Sequence, residues 1–171
     1  MSFNLSVAQE TLENAPLYYV DTLYSFGNKF GLTWDTISQT TIAGQIGYQK
    51  SEKLKVFARG EFFSFSPNRQ EYAWYRPNYK FTLSGMYDLA DKIIVKADVF
   101  VVGARKAYSY ENVEGSTLEN GKYVYDLSGF VDANLGFEYR LDNRFSGFVN
   151  FNNLATRKYQ EWAGYPVQSI N

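Results

Sequence analysis

Residues 81–101 read FTLSGMYDLADKIIVKADVFV, and this stretch decides the fold. Apolar side chains alternate with polar ones on both sides of the short segment 90–92. The alternating residues are Phe81, Leu83, Gly85, Tyr87 and Leu89 before it, and Ile93, Val95, Ala97, Val99 and Val101 after it. A period of two is typical of β-strands that have one apolar and one polar face. The stretch therefore predicts an antiparallel hairpin of two long strands.

The same alternation runs through most of the chain. It is clearest over 3–7, 42–48, 54–62, 133–139 and 145–151, and no segment shows the 3.6-residue apolar stripe of a helix. The strands are predicted at about 9–13 residues, against a usual length of about 5–6, and about 9–11 tilted residues span a bilayer. We predict an all-β fold: an antiparallel up-and-down meander of long strands that forms a transmembrane β-barrel or a partial segment of one.

The connections between the predicted strands alternate in length. Short turns are predicted around 51–53, 90–92 and 141–143, and long loops near 66–78, 104–128 and 153–166. This alternation is typical of outer-membrane barrels, with turns on the periplasmic side and loops outside. We count about eight strands plus a truncated last strand in a single β-barrel segment, 1–171. The connection 11–29 is predicted on the short-turn side although it is long, so we expect it to contain a short strand at 17–20 or a structured periplasmic segment.

A tyrosine recurs at the foot of three predicted strands. In each repeat a cation follows five residues later and an apolar residue six residues later. The repeats run from Tyr48 to Leu54, from Tyr87 to Ile93 and from Tyr139 to Phe145. Tyrosine is enriched where a membrane meets water, because its ring sits in lipid and its hydroxyl among the headgroups. We therefore predict Tyr48, Tyr87 and Tyr139 as membrane-girdle residues.

The composition excludes several classes of chemistry. The chain has 171 residues with no Cys and no His, and its formal charge is −1. Thiol nucleophiles, Cys-ligated metals and His bases are therefore excluded, and the near-neutral charge offers no footprint for nucleic acid. There is no signal-peptide pattern at the start and no run of about 18 apolar residues. We predict no catalytic residues, no enzyme activity, no metal site and no cofactor.

Aromatic residues make up 19% of the chain and many lie in the predicted loops. The ligand-contact candidates are Trp74, Tyr108, Tyr110 and Trp162, which could stack on glycan rings or other planar ligands. The alternative is that these rings form the outer girdle and pack the loops. The polar faces of the strands are interpreted as the solvated lumen of a barrel, where opposite charges on neighbouring strands pair.

Residues 131–153, VDANLGFEYRLDNRFSGFVNFNN, resemble the closing strands of TonB-dependent receptors and related outer-membrane barrels of Bacteroidetes type. In that family a D-x-N-L-G-x-E-Y-R strand leads through a tight turn to F-x-N-x-x-N-L, then a Tyr-rich loop and Y-P. Leu154, Tyr159, Trp162, Tyr165 and Pro166 match the later positions. Residues 16–34 and 48–65 also resemble the family, so the likeness covers most of the chain.

The resemblance implies a wall segment of an outer-membrane receptor or transporter for solute uptake in a Gram-negative cell. Its partners would be outer-membrane lipid and, in the full-length protein, a plug domain and TonB. The family's terminal aromatic residue is missing at 167–171, and no plug-like segment is seen, so we expect a C-terminal part of a larger barrel. The alternatives are a complete eight-stranded barrel with a structural or adhesive role, and a soluble sheet protein that binds glycans.

Overall fold

The computed structural model describes residues 1–23, 29–112, 115–142, 144–155 and 159–167, and these residues form twelve strands. The strands are β1 (Ser2–Asp21), β2 (Lys29–Lys50), β3 (Leu54–Pro67), β4 (Tyr79–Leu89), β5 (Ile93–Val102), β6 (Arg105–Ser109), β7 (Thr117–Glu119), β8 (Lys122–Leu127), β9 (Phe130–Arg140), β10 (Ser146–Phe151), β11 (Gln160–Trp162) and β12 (Tyr165–Pro166). Within these ranges, no helix is long and apolar enough to cross a membrane. The all-β prediction is confirmed.

Seven of these strands form a continuous antiparallel wall in the order β10-β9-β5-β4-β3-β2-β1. The register places the predicted alternating residues on matching faces. Leu83 of β4, for example, lies between Ala58 of β3 and Val99 of β5, and Val99 in turn pairs with Ala133 of β9. The up-and-down meander is thus confirmed over β1 to β5. Of the predicted final strand at 167–171, residues 168–171 lie outside the described residues.

One face of the wall, the apolar face, is formed by the alternating apolar residues of all seven strands. Several of its large side chains are well exposed, among them Leu83 at 39% and Val7 at 69%, whereas others such as Val99 are half-buried. Soluble monomers rarely expose a contiguous apolar patch of more than roughly a few hundred Å². The opposite face, the polar face, carries residues such as Arg59, Asp98 and Asn134.

The first two strands extend well beyond the apolar face, at the end opposite the short turns. Ser2 pairs with Gly47 near the turn 51–53, and the ladder continues to Asp21 and Lys29. The prediction that the connection 11–29 lies on the short-turn side is therefore wrong. Residues 17–20 belong to the upper part of β1 itself, and the connection to β2 lies at the other end of the wall.

A β-bulge in β1 explains why the period-two pattern fails there. Leu12 pairs with Ile37 but Ala15 pairs with Asp35, so two residues of β1 oppose one of β2. Asn14 occupies the left-handed region with φ of 49°, a conformation that Asn tolerates better than most residues. The bulge exchanges the two faces of β1, so that Ala15 and Leu17 face the same side as Ile37.

The segment predicted as a long loop at 104–128 contains three short strands. β6, β8 and β7 form a small antiparallel sheet that continues the main sheet beyond β1, through a parallel bridge between Val20 and Ser109. The chain leaves the top of β5 and returns to the top of β1, four strands away in the wall. We call this sheet, together with the loop 68–78 and the β11–β12 hairpin, the cap.

The cap packs on the upper wall through two apolar clusters. One cluster joins Ala15, Leu17 and Ile37 of the wall to Trp74, Tyr108 and Val124 of the cap. The other joins Val20 to Ala107, Tyr125, Leu127 and Ala163. The first cluster lies on the polar side of the wall, the side of Ile37. The second lies on the other side, because Val20 and its partner Phe30 project opposite to Leu17. The cap therefore covers both sides of the upper ends of β1 and β2, remote from the short turns.

Asp35 fastens the loop 68–78 to the wall. Its buried carboxylate accepts hydrogen bonds from the backbone N–H groups of Thr36, Arg69 and Gln70 at 2.7–2.9 Å. Burial by itself raises the pKa of this carboxyl, but these bonds favour the charged form and leave the pKa of Asp35 below its ordinary value. The carboxylate thus accepts hydrogen bonds from loop N–H groups that have no carbonyl partner in a neighbouring strand.

We predict that Asp35→Asn lowers the free energy of unfolding by about 1–3 kcal/mol, because the amide offers a neutral and weaker acceptor set. A lowered pKa means that the native carboxylate stabilises the fold fully above about pH 4 and loses this effect as the pH falls through its folded value. Urea unfolding of the refolded protein from neutral pH downwards should show the difference shrinking in acid. Asp91→Asn, at an exposed turn, is the control; an equal loss there would contradict the assignment.

Candidate functional site

The polar face carries charge pairs within strands. Arg59 pairs with Glu61 at 2.7 Å, and Arg140 pairs with Glu138 at 2.9 Å. The sequence predicted pairs between neighbouring strands, and for these residues that prediction is wrong. Residues two apart on one strand share a face and lie close enough for long side chains to meet.

A cavity of about 430 Å³ lies between the upper polar face of β3 and the cap. Three elements line it: the end of β3, the loop 68–78 and the start of β6. Its lining includes Phe63, Phe65, Tyr72, Arg76, Arg105 and Lys106. Another concavity of about 530 Å³ opens at the foot of the wall beside Ser84 and Asp98, but it does not involve the cap.

The floor of the cavity is aromatic. Phe63 and Phe65 are two residues apart on β3, so both project from the polar face, and their rings stack with centroids 6.0 Å apart and planes at 15°. The Arg76 guanidinium lies over the Phe65 ring at 5.8 Å. The Lys106 ammonium lies over the Tyr72 ring at 4.8 Å. Cations and aromatic faces thus meet at two points of one cavity.

The backbone holds these side chains in place. The Tyr75 N–H donates to the Lys106 carbonyl at 2.8 Å, which joins the loop 68–78 to β6. Tyr75 has a positive φ of 62°, and the chain reverses there before Arg76. The Arg105 guanidinium donates to the carbonyls of Gln160 and Glu161 at 2.9 and 3.0 Å, which ties the β11–β12 hairpin to the same strand.

Burial shapes the electrostatics of the cavity. It lowers the pKa of the Arg76 guanidinium, an effect that the charge of Glu10 opposes, and it likewise lowers the pKa of Arg105. Both groups remain charged at neutral pH, since arginine does not deprotonate in proteins. The hydrogen bond to Asp126 raises the pKa of Lys106, and the two charges lie 3.0 Å apart.

The predicted ligand-contact residues all lie in the cap, but they differ in exposure. Trp74 and Tyr108 are buried at 1% exposure, with ring centroids 4.5 Å apart. Their rings pack the first cluster, as the loop-packing alternative expected. Tyr110 is 42% exposed and contacts Tyr108, and half-buried Trp162 lies against Tyr75. Ligand contact by these four residues stays a prediction, and Tyr110 and Trp162 are the two whose rings are more accessible.

The three predicted girdle residues lie on the apolar face near the short turns. Tyr48, Tyr87 and Tyr139 are 43%, 45% and 49% exposed. At the opposite border of this face, Phe62 pairs with Tyr79, with ring centroids 6.3 Å apart. These positions fit two aromatic borders around an apolar band, and the role of the three tyrosines in a membrane stays a prediction.

Sequence reasoning missed the cavity residues Arg76, Arg105 and Lys106. One signal was present: Phe63 and Phe65 occupy polar-face positions, where the pattern calls for hydrophilic side chains. The cations gave no signal, because their meeting depends on the path of the chain across the wall.

Comparison with known proteins gives structural matches only. No family model and no curated protein matches the sequence. The FpvAI–pyocin S2 complex contains a chain similar at a TM-score of 0.69 and 16% identity over 98% of this chain. The pyoverdine outer membrane receptor FpvA from Pseudomonas aeruginosa PAO1, bound to pyoverdine, matches at 0.66 and 16% over 92%. The ferripyoverdine receptor of the same species, bound to ferripyoverdine, matches at 0.66 and 17% over 99%.

These matches show a similarity of fold, and they cover only part of each receptor chain. The chain spans about a quarter of the length of the receptors it resembles, since it covers 24%, 23% and 23% of them. At such identities the likeness shows the fold alone, an antiparallel β-wall like part of the wall of these receptors.

We predict that Trp74→Ala lowers the free energy of unfolding by about 3–5 kcal/mol, because it empties a closely packed site. Trp34→Ala is the matched control: Trp34 is 55% exposed, and its removal should cost less than about 1 kcal/mol. Urea unfolding followed by far-ultraviolet circular dichroism measures both. Equal losses would show that Trp74 is not part of a packed core.

Proposed function

We propose that this chain is a wall segment of a TonB-dependent outer-membrane receptor, and that it contributes strands and extracellular loops for solute uptake. The observation that carries the proposal is the seven-stranded wall, apolar on one face and polar on the other, with a cap that packs in part on the polar face at one end. The likeness to solved outer-membrane receptors supports it.

In this proposal the apolar face contacts the lipid of the outer membrane. Side chains such as Leu83, Val7 and Phe137 are exposed, and no second sheet among the described residues covers them. Two aromatic borders frame the face, as the girdles of a membrane barrel do. A soluble sheet protein would need to bury this surface against another layer.

The two edges of the wall support an arc of a larger barrel. Within the described chain, β10 and the lower half of β1 each pair with a neighbour on one side only. Unpaired backbone groups are strongly disfavoured in lipid, so both edges need partner strands. An antiparallel wall of seven strands has outer strands that run in the same direction. An odd number of further strands must therefore separate them if the ladder is antiparallel throughout.

The ends of the wall give the proposed orientation. The short turns at 51–53 and 90–92 lie at one end, and the cap lies at the other. Outer-membrane barrels keep short turns on the periplasmic side and long connections outside the cell. The cap would thus sit at the outer mouth, where a solute arrives.

The proposed partners follow from the family resemblance. They are outer-membrane lipid and, in the full-length receptor, a plug domain that gates the conduit and TonB that supplies energy. The pyoverdine and pyocin contacts of FpvA belong to that receptor. A Bacteroidetes-type origin gains no support from these solved structures, and we leave it out of the proposal.

The membrane assignment predicts a sharp difference between two adjacent residues of β4. Leu83→Lys places a charge on the apolar face and should cost about 2–4 kcal/mol near the bilayer centre, whereas Thr82→Lys faces the polar side and should cost little. Assembly of the full-length protein into lipid vesicles, measured by protease protection, tests this. Equal tolerance of both substitutions would overturn the assignment.

The proposed barrel segment and the alternative, a complete eight-stranded barrel, differ in the number of strands and therefore in whether the chain can close on itself. The isolated 171-residue chain, refolded in detergent, should migrate identically on gels before and after heating, because its outer strands run in the same direction and cannot close an antiparallel ladder with each other. A closed small barrel would migrate faster before heating than after it. Heat-modifiable migration would favour the complete barrel.

A further inference from the structure

The outer side of β1, β2 and β3 changes character above the apolar face. On these strands the apolar face ends at the row of Val7, Ile42 and Phe62. The next six side chains on the same side carry hydroxyl or amide groups, because the strands keep their period of two. They form two aligned rows, which we call the hydroxyl rows: Gln9–Thr40–Ser64 and Thr11–Ser38–Ser66.

The hydroxyl rows are available for hydrogen bonds to a ligand. Thr40 is half-buried and the other five residues are exposed. Within the described part of the chain, none of the six side chains makes a hydrogen bond or an ion pair. Hydroxyl and amide groups offer both donors and acceptors without a charge, so the rows suit a neutral polar ligand.

A group of mostly aromatic side chains lies above the hydroxyl rows, and we call it the outer aromatic patch. Its members are Tyr18, Phe30, Leu32, Trp34, Trp162 and Tyr165. The Trp162 ring lies against Tyr18 and Phe30, with centroids 5.3 and 5.2 Å apart, and Phe30 lies 5.6 Å from Tyr165. Leu32 pairs with Tyr18 in the ladder, and Trp34 follows two residues later on the same side of β2. The patch is therefore contiguous.

Three rings of this patch are well exposed. Trp34 is 55% exposed, Tyr165 45% and Tyr18 37%. The indole N–H of Trp34 makes no hydrogen bond to the described residues. An exposed apolar patch with a polar rim is typical of a binding surface, and here the hydroxyl rows form the lower rim.

The patch lies too far from the apolar face to share its lipid. Trp34 is eight residues beyond Ile42 along β2, which is about 26 Å at about 3.3 Å per residue. A strand tilt of about 35–45° leaves about 20 Å of this along the membrane normal. In the proposed orientation the patch therefore stands outside the cell at the level of the sugars of the glycolipids that form the outer leaflet.

We infer that the outer aromatic patch and the hydroxyl rows bind neutral sugar rings of the glycolipid that surrounds the wall. A sugar ring presents its C–H face to the exposed rings of Trp34 and Tyr18, and its hydroxyl groups to the hydroxyl rows. No lysine or arginine belongs to the patch or the rows, so the sugars are recognised and not the phosphates of the headgroup. The source of the sugar rests on the proposed function above, whereas the binding itself needs no membrane.

The test adds two soluble probes to the full-length protein in detergent micelles. One is the complete core oligosaccharide of a lipopolysaccharide, which ends in neutral hexoses, and the other is a truncated core that ends at the charged inner sugars. Saturation-transfer NMR titration should show the complete core binding at least about fivefold more tightly, as expected when ring stacking is gained. Equal affinities, or no binding of either probe, would overturn the inference.

Substitutions then assign the contacts. Trp34→Ala should weaken binding of the complete core at least about fivefold, and Trp34→Tyr should restore part of the loss. Ser38→Ala combined with Ser64→Ala should weaken it by a further factor of about three. Phe148→Ala is the control, because Phe148 is 74% exposed but lies on the polar face. Unchanged binding in Trp34→Ala, or an equal loss in Phe148→Ala, would refute the site.

Another occupant of the patch would be a further segment of the full-length receptor. In that case Trp34→Ala would lower the melting temperature of the full-length protein in micelles without any sugar, and the core oligosaccharide would bind wild type and variant alike. This pair of results would overturn the inference. We expect the melting temperature to stay nearly unchanged, because Trp34 packs little within the described chain.

The failure of this inference is distinguishable from the failure of the proposed function. Trp34-dependent binding of the complete core, together with equal tolerance of lysine at 82 and 83, would support the sugar site and refute the membrane wall and its glycolipid. A selective defect at 83 without any binding of the core would support the wall and refute the sugar site.

Discussion

The register of the antiparallel ladder is the constraint on which the rest of the structure depends. Side chains alternate with a period of two, so a slip of one residue would exchange the two faces of a strand. From β2 to β10 the register holds Leu83, Val99 and Ala133 in one row, and Ser84, Asp98 and Asn134 in the adjacent row on the opposite face. The hydrogen bond of 2.6 Å between Ser84 and Asp98 shows how closely the polar row is aligned. A continuous apolar face and a continuous polar face both follow from this one property.

The bulge at Asn14 shifts the register of β1 against β2. Below it, Phe3, Leu5 and Val7 face outward, and above it Ala15 and Leu17 face the cap. Without the extra residue, the upper half of β1 would present Pro16 and Tyr18 to Trp74 and Tyr108. The same strand thus contributes to an exposed apolar surface below the bulge and to a packed aromatic core above it.

The parts that the sequence predicted are those that depend on local pattern. The faces of the strands, the turns at 51–53 and 90–92 and the positions of Tyr48, Tyr87 and Tyr139 all follow from spacing along the chain. The fold of the cap could not be predicted from local spacing. Its parallel bridge joins Val20 to Ser109, and its cores combine residues from segments far apart in sequence. For the same reason the sequence identified the aromatic residues of the loops but could not distinguish the buried Trp74 from the exposed Tyr110. The cations of the cavity carry no periodic signal at all, since only the crossing of the cap brings Arg76 and Lys106 together.

The open edge of the wall and the attachment of the cap both depend on how the edge strand β1 is paired. In the proposed arc of a barrel the edge strands pair with other strands, and the lower part of β1 has no second partner strand among the described residues. Higher up, the chain satisfies the same edge itself, because β6 adds to β1 and extends the sheet into the cap. Within the described chain, the free edge of β1 therefore lacks a partner in its lower part, whereas in its upper part it pairs with β6, which belongs to the connection between β5 and β9. In the proposed membrane setting this change of pairing lies above the lipid, where the ladder no longer needs a full-length partner. At this end of the wall the chain extends its own sheet with β6, and the cavity between β3 and the cap lies at the same end.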